Sequence, residues 1–173
     1  MNDDIAFNSH LKKPMISDKL LQRVIQAYQG EVYGEALFGR LAKLSKNADE
    51  QTKWQLLMRL EQVIQQGLYN WLISNGSATE PEPKFQKKGM DEADKVASKN
   101  WLEAMQWLHD LTTPYVARYA DMAAHEDLIT EPDARIVLYR LADHEKALWL
   151  FAAEELANNP SSAQDFITKL LKD

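Results

Sequence analysis

Residues 17–76 read SDKLLQRVIQAYQGEVYGEALFGRLAKLSKNADEQTKWQLLMRLEQVIQQGLYNWLISNG. Ser17 is a candidate N-cap, and Leu21, Val24, Ile25, Tyr28, Val32, Phe38 and Ala42 recur behind it at helical spacing. That spacing predicts helix A from Ser17 to Ser45. Asn47, with Glu50 three residues on, resembles a capping box in which asparagine replaces the usual Ser or Thr. Helix B follows from Asp49 to Ser74, with Trp54, Leu57, Met58, Ile64, Leu68, Trp71 and Leu72 on its apolar face, and Asn75-Gly76 closes it. So short a connection between A and B makes them an antiparallel hairpin. Gly30, Gly34 and Gly39 lie inside helix A, where each costs about 1 kcal/mol against alanine. They imply close helix approach, or room for something beside the helix.

Outward from this hairpin, GSATEPEPKFQKKG at 76–89 is the one long link. Fully extended it spans on the order of 45 Å. A helix of ~25 residues is about 38 Å long, so the link can cross a bundle and leave B and C parallel. Helix C is expected from Asp91 to Asp127, kinked at Pro114, with Trp101, Met105, Leu108, Leu111, Tyr115, Tyr119 and Met122 inward. Thr130-Glu131-Pro132-Asp133 signals the start of helix D, which runs to Leu156. Asn158-Asn159-Pro160 stops it, and Ser162–Lys172 reads as a short final helix. The expected organisation is an N-terminal arm at 1–16, an all-α antiparallel four-helix bundle at 17–157, and a closing helix within 158–173 packed on the bundle.

A chain of 173 residues supports one core. Its net charge of −6 disfavours nucleic acid and anionic lipid as partners, and Lys84, Lys87 and Lys88 read as a solvated loop. The absence of cysteine excludes disulfides, thiolate metal sites, iron–sulfur centres and cysteine nucleophiles. Neither a secretory signal nor an apolar run of the ~20 residues a membrane span needs is visible, so a cytoplasmic setting is expected. No Gly-x-Ser-x-Gly, phosphate loop or dinucleotide fingerprint occurs.

Several acids fall on the inner faces. On helix A the apolar arc centres near Tyr28; Glu35 lies about 20° from that centre and its rival Glu31 about 60°. Glu61 lies mid-arc on B. On D the arc centres near Leu141, with Glu145 about 40° to one side and His144 about 60° to the other. Glu155 also falls on the apolar side of D. Counted from the hairpin turns, Glu35, Glu61, Tyr115, His144 and Glu145 come to one level within roughly a helical turn. Buried carboxylates pair, protonate or bind a cation, because a lone buried charge is costly. Carboxylate and imidazole donors on facing helices suit iron, manganese or zinc.

At this point the chain resembles the ferritin-like superfamily, which includes rubrerythrins, bacterioferritins and the non-haem di-iron oxygenases. The resemblance covers 17–157: two hairpins joined by one long crossover. It implies a glutamate on the first helix, Glu-x-x-His on the second, a glutamate on the third and Glu-x-x-His on the fourth. Carried over, Glu35 (or Glu31), Glu61 and Glu145 match the acids of helices A, B and D. Ile64 and Leu148 stand where the histidines would, His144 is the one histidine near, and Tyr115 occupies the level of the missing third-helix acid. The implied centre is therefore an incomplete metal-carboxylate site on Glu35, Glu61, His144 and Glu145, holding iron or manganese, with Tyr115 as a hydrogen-bond donor behind the ligands. The implied role is redox or oxygen-handling. A metal-free bundle serving as a structural or interaction module is the alternative. A small-molecule pocket between kinked helix C and glycine-rich helix A is a third reading. Trp107 and Trp149, off the inner arcs, point to a subunit contact and a homodimer.

Overall fold

The structure, a computed structural model, describes residues 17–124, 132–159 and 162–172. Within them the chain is all-helical, with no strand: α1 (Asp18–Leu44), α2 (Ala48–Ser74), α3 (Pro83–Val96), α4 (Trp101–Ala124), α5 (Pro132–Leu156) and α6 (Ser162–Leu170). The expected arm at 1–16 and the start signals at Thr130-Glu131 lie outside the described residues. No described helix is long and apolar enough to cross a membrane.

The α1–α2 hairpin forms as its caps require. Ser17 Oγ accepts from Leu20 N at 3.2 Å, and Asn47 Oδ1 accepts from the N–H groups of Asp49 and Glu50. At the far end Ser77 N bonds Leu72 O, and Gly76 takes φ +80°, the left-handed conformation that stops a helix. Tyr28 and Tyr69 meet where α2 ends, and Phe38 stacks on Trp54 where it begins.

Two expectations about the next segment are corrected. The link is not extended to Gly89: Pro83, whose fixed φ and missing N–H suit a first turn, starts α3. Nor is 91–127 one helix. It breaks after Val96, and Asn100 opens α4 with a reciprocal capping box: Asn100 Oδ1 accepts from Glu103 N, and Glu103 Oε2 from Asn100 N, both at 3.0 Å. The Asn-x-x-Glu signal was present in the sequence, and the apolar period running across it masked it. From Trp101, α4 runs unbroken through Pro114.

The crossover is clamped to α1. Buried Gln29 donates to Glu80 O (2.9 Å) and accepts from Glu82 N (3.0 Å), so a polar core side chain serves the link's backbone. Further along, Gly89 lies against Tyr33 O and the Leu37 amide, and Arg40 pairs with Asp94 at 2.9 Å. Those contacts rise together in both sequences, so α3 runs parallel to α1. A Cβ at Gly89 would collide with the α1 backbone, which cannot yield.

Trp101 then meets Trp54 edge-on at 5.1 Å, returning the chain to the end where α2 starts. In turn α5 runs antiparallel to α4, with Trp149 against His109 and its indole N–H donating to Thr113 Oγ1. Trp149 therefore packs within the chain. Glu154 of α5 bonds Ser162 Oγ and Ala163 N at the start of α6, and Arg140 donates to Leu170 O at its end. Across the middle, α2 packs on α5, while α1 and α4 do not pack closely. That gap is where the site lies.

Candidate metal centre

Glu31 of α1, Glu61 of α2 and His144 of α5 meet in the core, with one ligand atom from each lying within 4.8 Å of the others. All three are buried, at 2%, 3% and 1% exposure. His144 Nε2 stands 3.2 Å from Glu61 Oε1 and 3.5 Å from Glu31 Oε2. Glu31 Oε2 and His144 Nδ1 are buried without a hydrogen-bond partner among the described residues.

The glycines of α1 now divide by what faces them. Gly34 makes room for Glu61, whose carboxyl occupies the space a Cβ at 34 would take. Gly39 faces Met58 Sδ at 3.1 Å, and Gly30 faces open space. Close approach and room beside the helix, both read from the three glycines, thus occur at different turns of one helix.

Burial dominates the electrostatics. It pushes the Glu31 carboxyl well above its ordinary range; His144 opposes this, while Glu61 and Glu145 add to it. It likewise raises Glu61, where a hydrogen bond shared with Glu31 pulls the other way and Glu145 and Glu35 push further up. Glu145 is raised by burial, against His144. Without a cation these acids are driven to hold protons, and Glu31 and Glu61 are close enough to share one.

The structure brings Glu31, rather than Glu35, to Glu61 and His144. Glu35 is half-buried and accepts from Gln62 (2.8 Å) and Gln65 (3.1 Å) along the α1–α2 seam. The error lay in the arc. Ala27, Gly34, Leu37 and Leu41 are all buried, and counting them moves its centre by about 45°, nearer Glu31 than Glu35. Ala27 and Gly34 carry little hydrophobic weight, and Leu37 and Leu41 lie about 140° or more from Tyr28, outside an arc centred on it. His144 and Glu145 divide the task on α5: His144 reaches the acids, and Glu145 lines the adjoining cavity. Tyr115 is corrected too. It is 37% exposed, at the cavity mouth, stacked on Tyr119. Tyr119 is the buried phenol, its pKa raised by burial first and then by Glu31 and Glu145.

The donor set fits one cation. Two carboxylates and an imidazole converge, one oxygen lacks a partner, and among the described residues no lysine or arginine forms an ion pair with Glu31 or Glu61. Oxygen and imidazole donors of this kind suit divalent iron, manganese or zinc. A paired-ion centre does not fit: α4 presents Thr112 and Tyr119, not an acid, and Ile64 and Leu148 are apolar core. No family model, no curated protein and no solved structure matches this chain.

Proposed function

We propose that this chain is a ferritin-like bundle protein, with α1, α2, α4 and α5 as its four main helices, that holds one divalent iron or manganese ion on Glu31, Glu61 and His144 for a redox or oxygen-handling role. The observation that carries it is the buried Glu31–Glu61–His144 cluster with an orphaned carboxylate oxygen, seated in a gap that Gly34 leaves open. A bound ion would supply one-electron redox chemistry at a site shielded from bulk water. The chain's own residues set the rest. Glu31 and Glu61 neutralise positive charge and give up their shared proton as they do so. Glu145, on the cavity wall, can take or return a proton, and the buried Tyr119 phenol holds its own tightly.

The competing reading, a metal-free structural or interaction module, draws on one specific observation. The His144–Glu61 contact and a proton shared by the two acids can close the network without an ion. Reconstitution separates the two. Purified protein stripped with chelator is titrated anaerobically with Fe²⁺, and separately with Mn²⁺ and Zn²⁺, and metal content is measured after desalting. Retention of about one equivalent is expected. Glu61→Gln and His144→Ala should lose it, and Glu35→Gln should keep it. Folded protein that retains none of the three metals sinks the proposal and leaves the metal-free module.

A further inference from the structure

Helices α1 to α5 all contribute to a cavity of about 240 Å³, and Glu31, Glu61 and His144 form part of its lining. Its walls are apolar where Leu37, Phe38, Leu108 and Leu148 face it. Gly30 lines it too, and a Cβ built there meets nothing within 4 Å. An evolved core fills such space, because interiors pack to the density of organic crystals. This one is instead left open by a glycine that is unfavourable in a helix.

The rim carries positive charge. Lys88 of α3 sits over the Tyr33 ring at 5.2 Å, and Arg118 of α4 over the Tyr119 ring at 5.9 Å. Both line the cavity, and neither has a carboxylate partner among the described residues. The nearby acid Glu92 is taken up by Lys95 at 3.0 Å. Glu31, Glu61 and Glu145 line the floor, with His144 Nε2 3.5 Å from Glu31 and 3.2 Å from Glu61, so a ligand's negative end belongs at the rim and not at the floor. Lys84, Lys87 and Lys88, expected in a solvated loop, lie on α3, and it is this helix that carries Lys88 to the rim.

We propose that this cavity binds a small monocarboxylate, its apolar body between α1 and α4 and its carboxylate at the rim on Lys88 and Arg118. A dry cavity of about 150 Å³ admits benzene, so by proportion this one admits a molecule of about ten non-hydrogen atoms. Two unpaired cations over aromatic faces select an anion, and the walls select an aliphatic or aromatic body over a polyol. The site goes beyond the metal reading and does not require an ion to be bound.

Calorimetric titration with 4-methylbenzoate and with octanoate tests this on the full chain, with and without Mn²⁺. Saturable binding is expected for at least one of them, with a Kd on the order of 0.1–1 mM. Which acid binds better tells an aryl from an alkyl source. Gly30→Met, which adds a side chain on the cavity wall where a Cβ meets no neighbour, should weaken binding at least tenfold; Lys88→Gln with Arg118→Gln, both on exposed residues, should do so by about tenfold. 4-Methylbenzyl alcohol should bind about tenfold more weakly than the acid. No saturation up to about 10 mM overturns the proposal. So does equal binding of the alcohol, or unchanged affinity in a folded Gly30→Met. If Gly30→Met does not fold, the double glutamine variant decides: unchanged affinity there also overturns it. Binding that persists without Mn²⁺ supports this site whatever becomes of the metal centre, and binding found only with Mn²⁺ counts against it.

Discussion

Glu155 and Glu61 are both buried glutamates on facing helices, and their surroundings differ in kind. Glu155 Oε2 accepts from Lys53 Nζ at 2.9 Å and from the Trp101 indole at 2.8 Å, where α2, α4 and α5 meet at one end of the molecule. Lys53 also pairs with Asp49 and lies over the Trp101 ring. Glu61, deeper in the core, has no lysine or arginine paired with it among the described residues, where a second acid and a histidine face it. One acid is balanced by the chain itself. The other is balanced only by protons or by something the chain does not provide. Burial alone therefore does not mark a site, and neither does one bare oxygen, since Glu155 Oε1 is also buried without a hydrogen-bond partner; burial without a lysine or arginine partner does.

The largest expected effect breaks the balanced side. Lys53→Met leaves Glu155 buried without its cation, and a loss of about 3 kcal/mol in urea unfolding is expected. Lys53→Met with Glu155→Met should recover most of it, because an apolar pair can replace a buried ion pair at little cost. A single variant as stable as the parent would erase the contrast.

Next in size, Gly34→Ala drives a methyl into the space of the Glu61 carboxyl. A loss of about 2 kcal/mol is expected, and metal retention should fall with it. Gly39→Ala is the control. It meets only the Met58 thioether, which can swing aside, so its cost should stay under about 1 kcal/mol.

The smallest effect is a pH dependence of metal-free protein. The folded Glu31 carboxyl titrates well above its ordinary 4.5, so between those two values the folded state binds more protons than the unfolded one. Its contribution is fully present below pH 4.5 and is lost as pH rises toward the folded pKa. From pH 5 to 7, parent protein should therefore fall in stability relative to Glu31→Gln by roughly 1 kcal/mol. A relative rise over that range would mean that the acid is held ionised by a partner.

Much of this was legible in the chain. The caps at Ser17 and Asn47, the stop at Asn75-Gly76, and the apolar stripes of α1, α2 and α5 are local patterns, and local patterns decide local structure. Glu61 and His144 stood on apolar arcs in the sequence and stand in the core. What the sequence did not decide was direction within a wide arc. Helix α1 is covered by α2 on one side and α3 on another, and its buried face is broader than its large side chains suggest. Glu31 or Glu35, Tyr119 or Tyr115: each choice turned on that rotation. The break between α3 and α4 escaped because an apolar period continued across it, with the capping box at Asn100 as the one local sign.

By itself, the sequence determined the helices α1, α2, α5 and α6, the missing thiols, and a set of acids whose spacing demanded burial. Only tertiary packing decided which of those acids meet, that Gly34 yields its space to Glu61, and that Gly30 borders a cavity instead of a neighbour. The reason is range. Hydrogen bonds within a helix join residues four apart and are written in adjacent letters, whereas a side chain's surroundings depend on elements far along the chain, placed by the sum of many small contacts.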